Sequence, residues 1–428
     1  MTTGWEHFGL RHGQPMSARS RVVDIPDRLR PFVDARAALG DRPFVGLTTD
    51  GTLRTDLFDL RATGVSVAPL EAAAQAFVAH LSTEQRSRAL QPLDSDDWRR
   101  WINVHMNFFR HGVMLEELDP AGRRLGLALL AETLSARGYA QARDVMRINE
   151  FLAQFTSSAD EYGEWPYFVT VFGTPGSGEP WGWQLDGHHL VVNCVVVGDQ
   201  VVLTPSFMGA EPCHIPTGPF AGTTVFAAEE RAGVDLMRSL TSAQQAQAVL
   251  RPSLHPDDLP AELRHPFDGR MQAGAFNDNA TLPYEGVAAT DLDDDQRRLL
   301  LNLVSTYVGW GRDGHSEVRM DEVARHLDDT WFSWMGSTAD RGPFYYRVHS
   351  PVILVEFDHH PGVVFDNLVP SHHHVHTLVR TPNGGDYGAD LLARHHDRYD
   401  HTHGDHRHRH EHEHDHDHHH EHDHHHEH

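Results

Sequence analysis

From residue 68 to about 156, apolar residues recur at three- and four-residue spacing, the repeat that lines one face of a helix. "APLEAAAQAFVAHL" is one such run. "DSDDWRRWINVHMNFF" is another, opened by Ser95 and Asp96, either of which can cap a helix start. "PAGRRLGLALLAETLSARG" and "YAQARDVMRINEFLAQF" read as two more, parted at Gly138. Near residue 165 the period shortens. "WPYFVTVFG", "HHLVVNCVVVG" and "DQVVLTPSF" are rich in β-branched and aromatic residues and are separated by turn formers, so they predict strands. Gly198-Asp199 predicts a tight hairpin between the last two, and Asp50-Gly51 another between short extended runs in 44–60. Helical spacing returns at 228–250, 294–310 and 318–328, around a Pro-, Asp- and Gly-rich loop at 251–293. Strands resume at 343–360 and 373–382, and no internal repeat is visible. Helices and strands are segregated, which predicts an α+β fold with a largely antiparallel sheet, a helical N-terminal half and inserted helices.

Length and composition sharpen this picture. The 428 residues divide into an arginine-rich extension (1–40), one globular domain (41–394) and a tail (395–428) of His, Asp, Glu and Arg. The tail holds 18 of the 37 histidines and has nothing apolar to bury, so it is expected to be disordered. The net charge is −25 and there is no lysine. An acidic chain is a poor partner for nucleic acid or an anionic membrane surface. The start lacks a continuous apolar core, so no secretory signal is expected, and no stretch of 18 apolar residues predicts a membrane span. A cytoplasmic protein follows as the expectation, with Cys194 and Cys213 as reduced structural thiols.

The tail is also the plainest chemical signal. Imidazoles interleaved with carboxylates suit Zn, Ni, Cu or Co, with His406, His408, His410, His412, His414, His416, His418, His419 and His420 as the densest donors. A purification tag is normally an unbroken run of histidines, whereas here no run exceeds three. Ten acids and three arginines give the tail a charge of −7 with neutral imidazoles, and protonation near pH 6.5 carries it slightly positive.

Within the body, three strand-like segments concentrate metal-competent side chains: Asp186-Gly187-His188-His189, Glu356–His360 and His372–Arg380. Alternate strand residues share a face, so His374 and His376 can offer two imidazoles to one ion. Adding His188 and Glu356 gives three nitrogens and one carboxylate, a set suited to Zn, Fe, Mn, Ni or Cu, with His189 as a further candidate donor. The plainer alternative is that these histidines only bond nearby backbone. Glu211 and Asp358 are placed as general base or as carboxylates that orient a ligand. Trp183 and Arg380 are placed as substrate contacts, although Arg380 can equally clasp Asp386. No phosphate loop, dinucleotide fingerprint or paired-cysteine zinc motif is present.

"EPWGWQLDGHHLVVN", "GDQVVLTPSFMGAEP", "DDTWFSWMG", "FYYRVHSPVILVEFDHH" and "VHTLVRTPNGGDYGADLL" together resemble the bacterial and fungal family catalogued as domain of unknown function 3500, over about 40–396. The resemblance implies a domain boundary and no reaction. Its GHH, EFDH and His-x-His-Thr segments correspond to His188 and His189, to Glu356–His359 and to His374–Thr377, with His372 and His373 as extra histidines. Three readings follow: a metal-dependent hydrolase or oxidoreductase acting on a small polar molecule, a metal-handling protein whose tail is the working part, and a metal-free fold with structural histidines.

Overall fold

The computed structural model describes residues 17–19, 30, 34 and 38, and then 41–407 except 106, 107, 110, 264–267, 339–341, 363–366 and 368; within 399–407 only the backbone is described. Helices α1 (Ala68–His80) and α2 (Thr83–Ala89) lead into β1 (Leu90–Gln91) and β2 (Val113–Met114). Helices α3 (Pro120–Thr133) and α4 (Ala136–Thr156) follow, then β3 (Tyr167–Phe172), β4 (Trp181–Gly187), β5 (Leu190–Val197), β6 (Gln200–Val202) and β7 (Ser206–Ala210). The second part runs α5 (Ala227–Ser239), α6 (Ser242–Ala248), β8 (Val249–Arg251), β9 (Val287–Ala288), α7 (Asp294–Val308) and α8 (His315–Arg325). It closes with β10 (Trp331–Gly336), β11 (Phe344–His349), β12 (Leu354–His359), β13 (Val375–Arg380) and α9 (Ala389–Arg407). The tail from residue 408 on lies outside the described residues.

The fold is α+β. One sheet, mostly antiparallel, orders its strands β1-β3-β4-β5-β7-β13-β12-β11-β10-β8. Each half has the same plan. A short strand pairs parallel to the outermost long strand (β1 with β3, β8 with β10), and another pairs antiparallel to it (β2, β9). The hairpin β4–β5 pairs Gln184 with Asn193, as β11–β12 pairs Arg347 with Glu356. Val192 pairs with Ser206 and its equivalent Val355 with Val379, while Ser206 and Val379 pair with each other. A pseudo-two-fold axis therefore passes through that central pair. The sequence expectation of no repeat is overturned. "GVMLEELDPAGRRLGLALL" (112–130) and "GVAATDLDDDQRRLLLNLV" (286–304) agree at nine of nineteen positions. Ser82 and Thr241 cap α2 and α6 with the same reciprocal box to Gln85 and Gln244.

The paired glycines explain part of the likeness. Gly112 and Gly286 both have positive φ, and a Cβ would lie 2.6 Å from Val169 O and 2.1 Å from Phe332 O, respectively. Gly286→Ala is expected to lose more than about 2 kcal/mol, because strained backbone and a backbone clash add. Gly51→Ala, also at positive φ but facing open space, is expected to lose only about 1 kcal/mol. Urea melts of the two variants check the difference.

Several local expectations change. The 44–60 runs do not pair as a hairpin. Thr48 bridges Thr281 instead, and Asp50-Gly51 forms a turn closed by side-chain bonds to Gly51 and Thr52 N–H. After Ser95 caps one 3-10 turn (Asp96–Arg99), the chain leaves helical structure, drawn down by the burial of Trp98 and Trp101. The break before α4 falls at Leu134-Ser135, where Ser135 caps the helix; Gly138 lies inside it because Trp310 O occupies the space of a Cβ. Among the described residues no helix is long and apolar enough to cross a membrane.

The helices cover one face of the sheet and enclose the main core, with Trp183, Val192, Phe332 and Tyr346. Loops 93–105 and 268–285 cover the other face, where polar side chains are buried: Gln184 and Asn193 in one half, Arg347 and Glu356 in the other. His349 on that face has neither ring nitrogen paired. Burial, and then Arg347, push its pKa down to about 3. The folded chain thus resists a proton that the unfolded chain accepts near pH 6.5. This contribution to stability is whole above about pH 6.5 and is lost towards pH 3, at about 1.4 kcal/mol per pH unit. His349→Leu is expected to make the acid limb of the stability–pH profile shallower by that slope, read from urea midpoints.

Candidate metal centre

The β4–β5 hairpin turns on two residues, His188 and His189, because Gly187 pairs directly with Leu190. His189 takes a left-handed φ of 58°, a strained conformation for a side chain with a Cβ. Its backbone is fixed on both sides: its N–H donates to Asn103 O at 3.0 Å, and its carbonyl accepts from Gly209 N at 2.8 Å. On the next strands His376 faces the same side. Opposite it stands Gly209, where a Cβ would come within 3.0 Å of the His376 ring. His374, just before β13, points to the same place.

The three rings meet through Nε2. The separations are 2.9 Å for His374–His376, 3.2 Å for His376–His189 and 3.3 Å for His374–His189. An ion about 2.1 Å from each nitrogen needs nitrogens about 3.0 Å apart at octahedral angles and about 3.4 Å apart at tetrahedral ones. Two of the three separations fall between these limits and the shortest lies just below the octahedral one, so the three rings cap one face of a coordination sphere and leave the rest open. His374 has the correct tautomer for this, since its Nδ1–H donates to Pro361 O at 2.7 Å and leaves Nε2 bare. Burial, reinforced by neighbouring imidazoles, holds His189 and His376 well below the usual histidine pKa. Both are neutral at pH 7, as ligands must be.

The surroundings position this triad. His360 stacks on His376 with centroids 4.3 Å apart, and its N–H holds His374 O at 2.8 Å. Its Nδ1–H donates to Asp358 Oδ2 at 3.2 Å, and Arg270 grips the same carboxylate, Nε to Oδ1 at 2.7 Å. Burial lowers the His360 pKa to about 4. His188 stacks on His189 at 4.0 Å, and its Nδ1–H donates to Asn149 Oδ1 at 2.8 Å. Tyr162 and His105 pack beyond it, 5.4 and 5.6 Å from its ring centre. Glu211, 2% exposed, has Oε2 3.6 Å from His374 Nδ1.

The structure thus brings together His189, His374 and His376, and redistributes the other candidates. His188 is a wall of the site, since its ring lies flat on that of His189. Glu356 accepts from Gln272 N (2.9 Å), Ala273 N (3.0 Å) and the Tyr345 hydroxyl (2.6 Å), which use its lone pairs away from the triad. Asp358 is charge-paired with Arg270 and accepts from His360 Nδ1–H, which orients the His360 ring. Trp183 lies on the opposite, helix-covered face with Nε1–H donating to Thr133 Oγ1 at 3.1 Å, and so touches no site. Arg380 is a buried clasp between Asp386 and Asp278, each at 2.6 Å, and has no reach to a substrate. Of the tail donors, the side chain of His406 and residues 408–428 lie outside the described residues. His360, Asn149, Tyr162 and His105 had no strong signal in the sequence. His360 alone was legible as the last residue of "EFDHH", whereas Asn149 sits inside an ordinary helical pattern.

A second cluster, Glu230, His359 and His372, lies on the helix side. His372 Nδ1–H donates to Glu230 at 2.7 Å. Phe344 N–H donates to His359 Nδ1 at 3.0 Å, which puts the remaining proton of the neutral ring on Nε2 and leaves no lone pair there for an ion. Partial burial opposes the charge on Glu230, yet the nearby His359 ring, with Nε2 3.9 Å away, and the His372 donor bring its pKa down to about 2. This cluster is a carboxylate that accepts from His372 with the His359 N–H turned towards it, in contrast to the triad.

No curated protein and no solved structure matches the chain. The family model described as "Protein of unknown function (DUF3500)" matches residues 63–389, from the start of the helical layer to the start of α9. That span includes both halves of the sheet and every member of the triad, and the chain belongs to this family.

Proposed function

We propose that the protein is an enzyme that uses one divalent transition-metal ion, held by His189, His374 and His376, to act on a small polar substrate by hydrolysis or by oxidation–reduction. The reading is carried by the triangle of three Nε2 atoms 2.9–3.3 Å apart. Such a cap leaves coordination positions for a water and a substrate oxygen, and the ion lowers the pKa of the one or polarises the other. Zn, Fe, Mn, Ni and Cu all suit three imidazoles. His188, Tyr162 and Asn149 give the site polar walls, and Glu211 brings a carboxylate oxygen within 3.6 Å of His374 Nδ1. The His-rich tail serves as a reservoir of weakly held metal.

A second reading is a metal-handling protein without turnover, with the tail as its working part. It is favoured by the 18 histidines beyond residue 394. Zinc loading followed by dialysis against a mild chelator tests the choice. The full chain and a chain ending at residue 407 are both expected to keep one equivalent. If the shortened chain keeps none, the ion belongs to the tail and the first reading fails.

A further inference from the structure

The pseudo-two-fold axis passes a cavity of about 100 Å³ on the helix side of the sheet. The central pair Ser206 and Val379 line it. So do Leu134 and Val308, equivalent residues at the ends of α3 and α7, and Met208. The two halves approach one another here without closing, because the axis sets each half against a differing copy of itself.

Most of the polar side chains around this space are already paired, the half-buried His315 and Ser316 being the exceptions. Thr204 and Thr381 bond each other at 2.6 Å, and Arg319 donates to Thr381 Oγ1 at 3.0 Å. Ser206 Oγ donates to Leu203 O, and the hydroxyls of Tyr307 and Tyr346 meet each other. Trp310 Nε1–H donates to Glu229 at 3.2 Å. A water needs two to four polar partners, and this cavity offers few that are free. We infer that the axial cavity is a binding site for one small neutral apolar molecule, a single ring or a short branched alkyl compound. Its size is comparable with the roughly 150 Å³ apolar cavities that take up benzene. Recognition is by filled volume, and a ring that carries a polar atom binds more weakly, because the mostly paired groups around the cavity compensate little for the water that atom loses. The site is separate from the metal centre, so the inference holds whether or not an ion binds the triad.

The test uses the full chain labelled with 13C-methyl methionine and benzene as the probe. The Met208 methyl, assigned with Met208→Leu, is expected to shift saturably while that of Met335, in a different cluster, stays in place. Pyridine is expected to bind about tenfold more weakly or less. Val308→Phe, which fills the space, is expected to abolish the benzene shift. A Met208 methyl unmoved by benzene up to its solubility overturns the inference. So do equal shifts of both methyls, or pyridine binding as tightly as benzene.

Discussion

His376→Ala is expected to remove the tightly held ion and, with it, any metal-dependent activity. The substitution deletes one of three donors and opens the facial cap on the side of Gly209. Loss of a partner that merely orients a ligand costs about 10–100-fold in affinity, so loss of a ligand itself is expected to exceed about 100-fold. Retained zinc per chain, measured in the full protein after dialysis, reads the effect. His372→Ala is the informative control, since His372 stands only two residues before His374 but faces Glu230 on the other side of the sheet. It is expected to keep the equivalent. Equal loss in both variants, or retention in both, counts against the triad.

Arg380→Met is expected to produce the largest loss of stability. Arg380 is 0% exposed, and Asp386 and Asp278 are 0% exposed as well. Removing the guanidinium leaves the buried Asp386 without a counter-charge and Asp278 with Arg99 alone, a change that costs about 3–5 kcal/mol. That is a large part of the 5–15 kcal/mol that typically holds a domain together. Urea unfolding reads it directly, with insoluble expression as the extreme outcome. Were Arg380 a substrate contact, the same substitution would raise KM and leave the urea midpoint near its original value.

These two arginine and histidine positions show how much of the site was legible. His374 and His376 were readable as a pair, because alternation along a strand depends only on local geometry and the strand was evident from "VHTLVR". The choice between His188 and His189 was not readable. It depends on the two-residue turn and on what fixes each backbone: Asn103 O and Gly209 N–H hold the N–H and carbonyl of His189, and the Tyr167 hydroxyl donates to the carbonyl of His188. Alternation puts Glu356 and Asp358 on one face of their strand, and sheet pairing sets Asp358 beside His376, yet the covering loop 268–285 supplies the backbone N–H groups and the arginine that engage both carboxylates. No rule of spacing relates that loop to β12.

The sequence by itself determined the α+β class, the main helices and strands, the tight turn at Gly198-Asp199, the family and the His-rich tail. Each follows from patterns within a few residues or from composition. The tertiary structure alone decided the pseudo-two-fold arrangement, the three histidines that meet and the carboxylates that do not. Its reason is physical: strands more than 160 residues apart in the chain become neighbours only when sheet pairing joins the halves at Ser206 and Val379. The ligand geometry is a property of that junction, which no single segment carries.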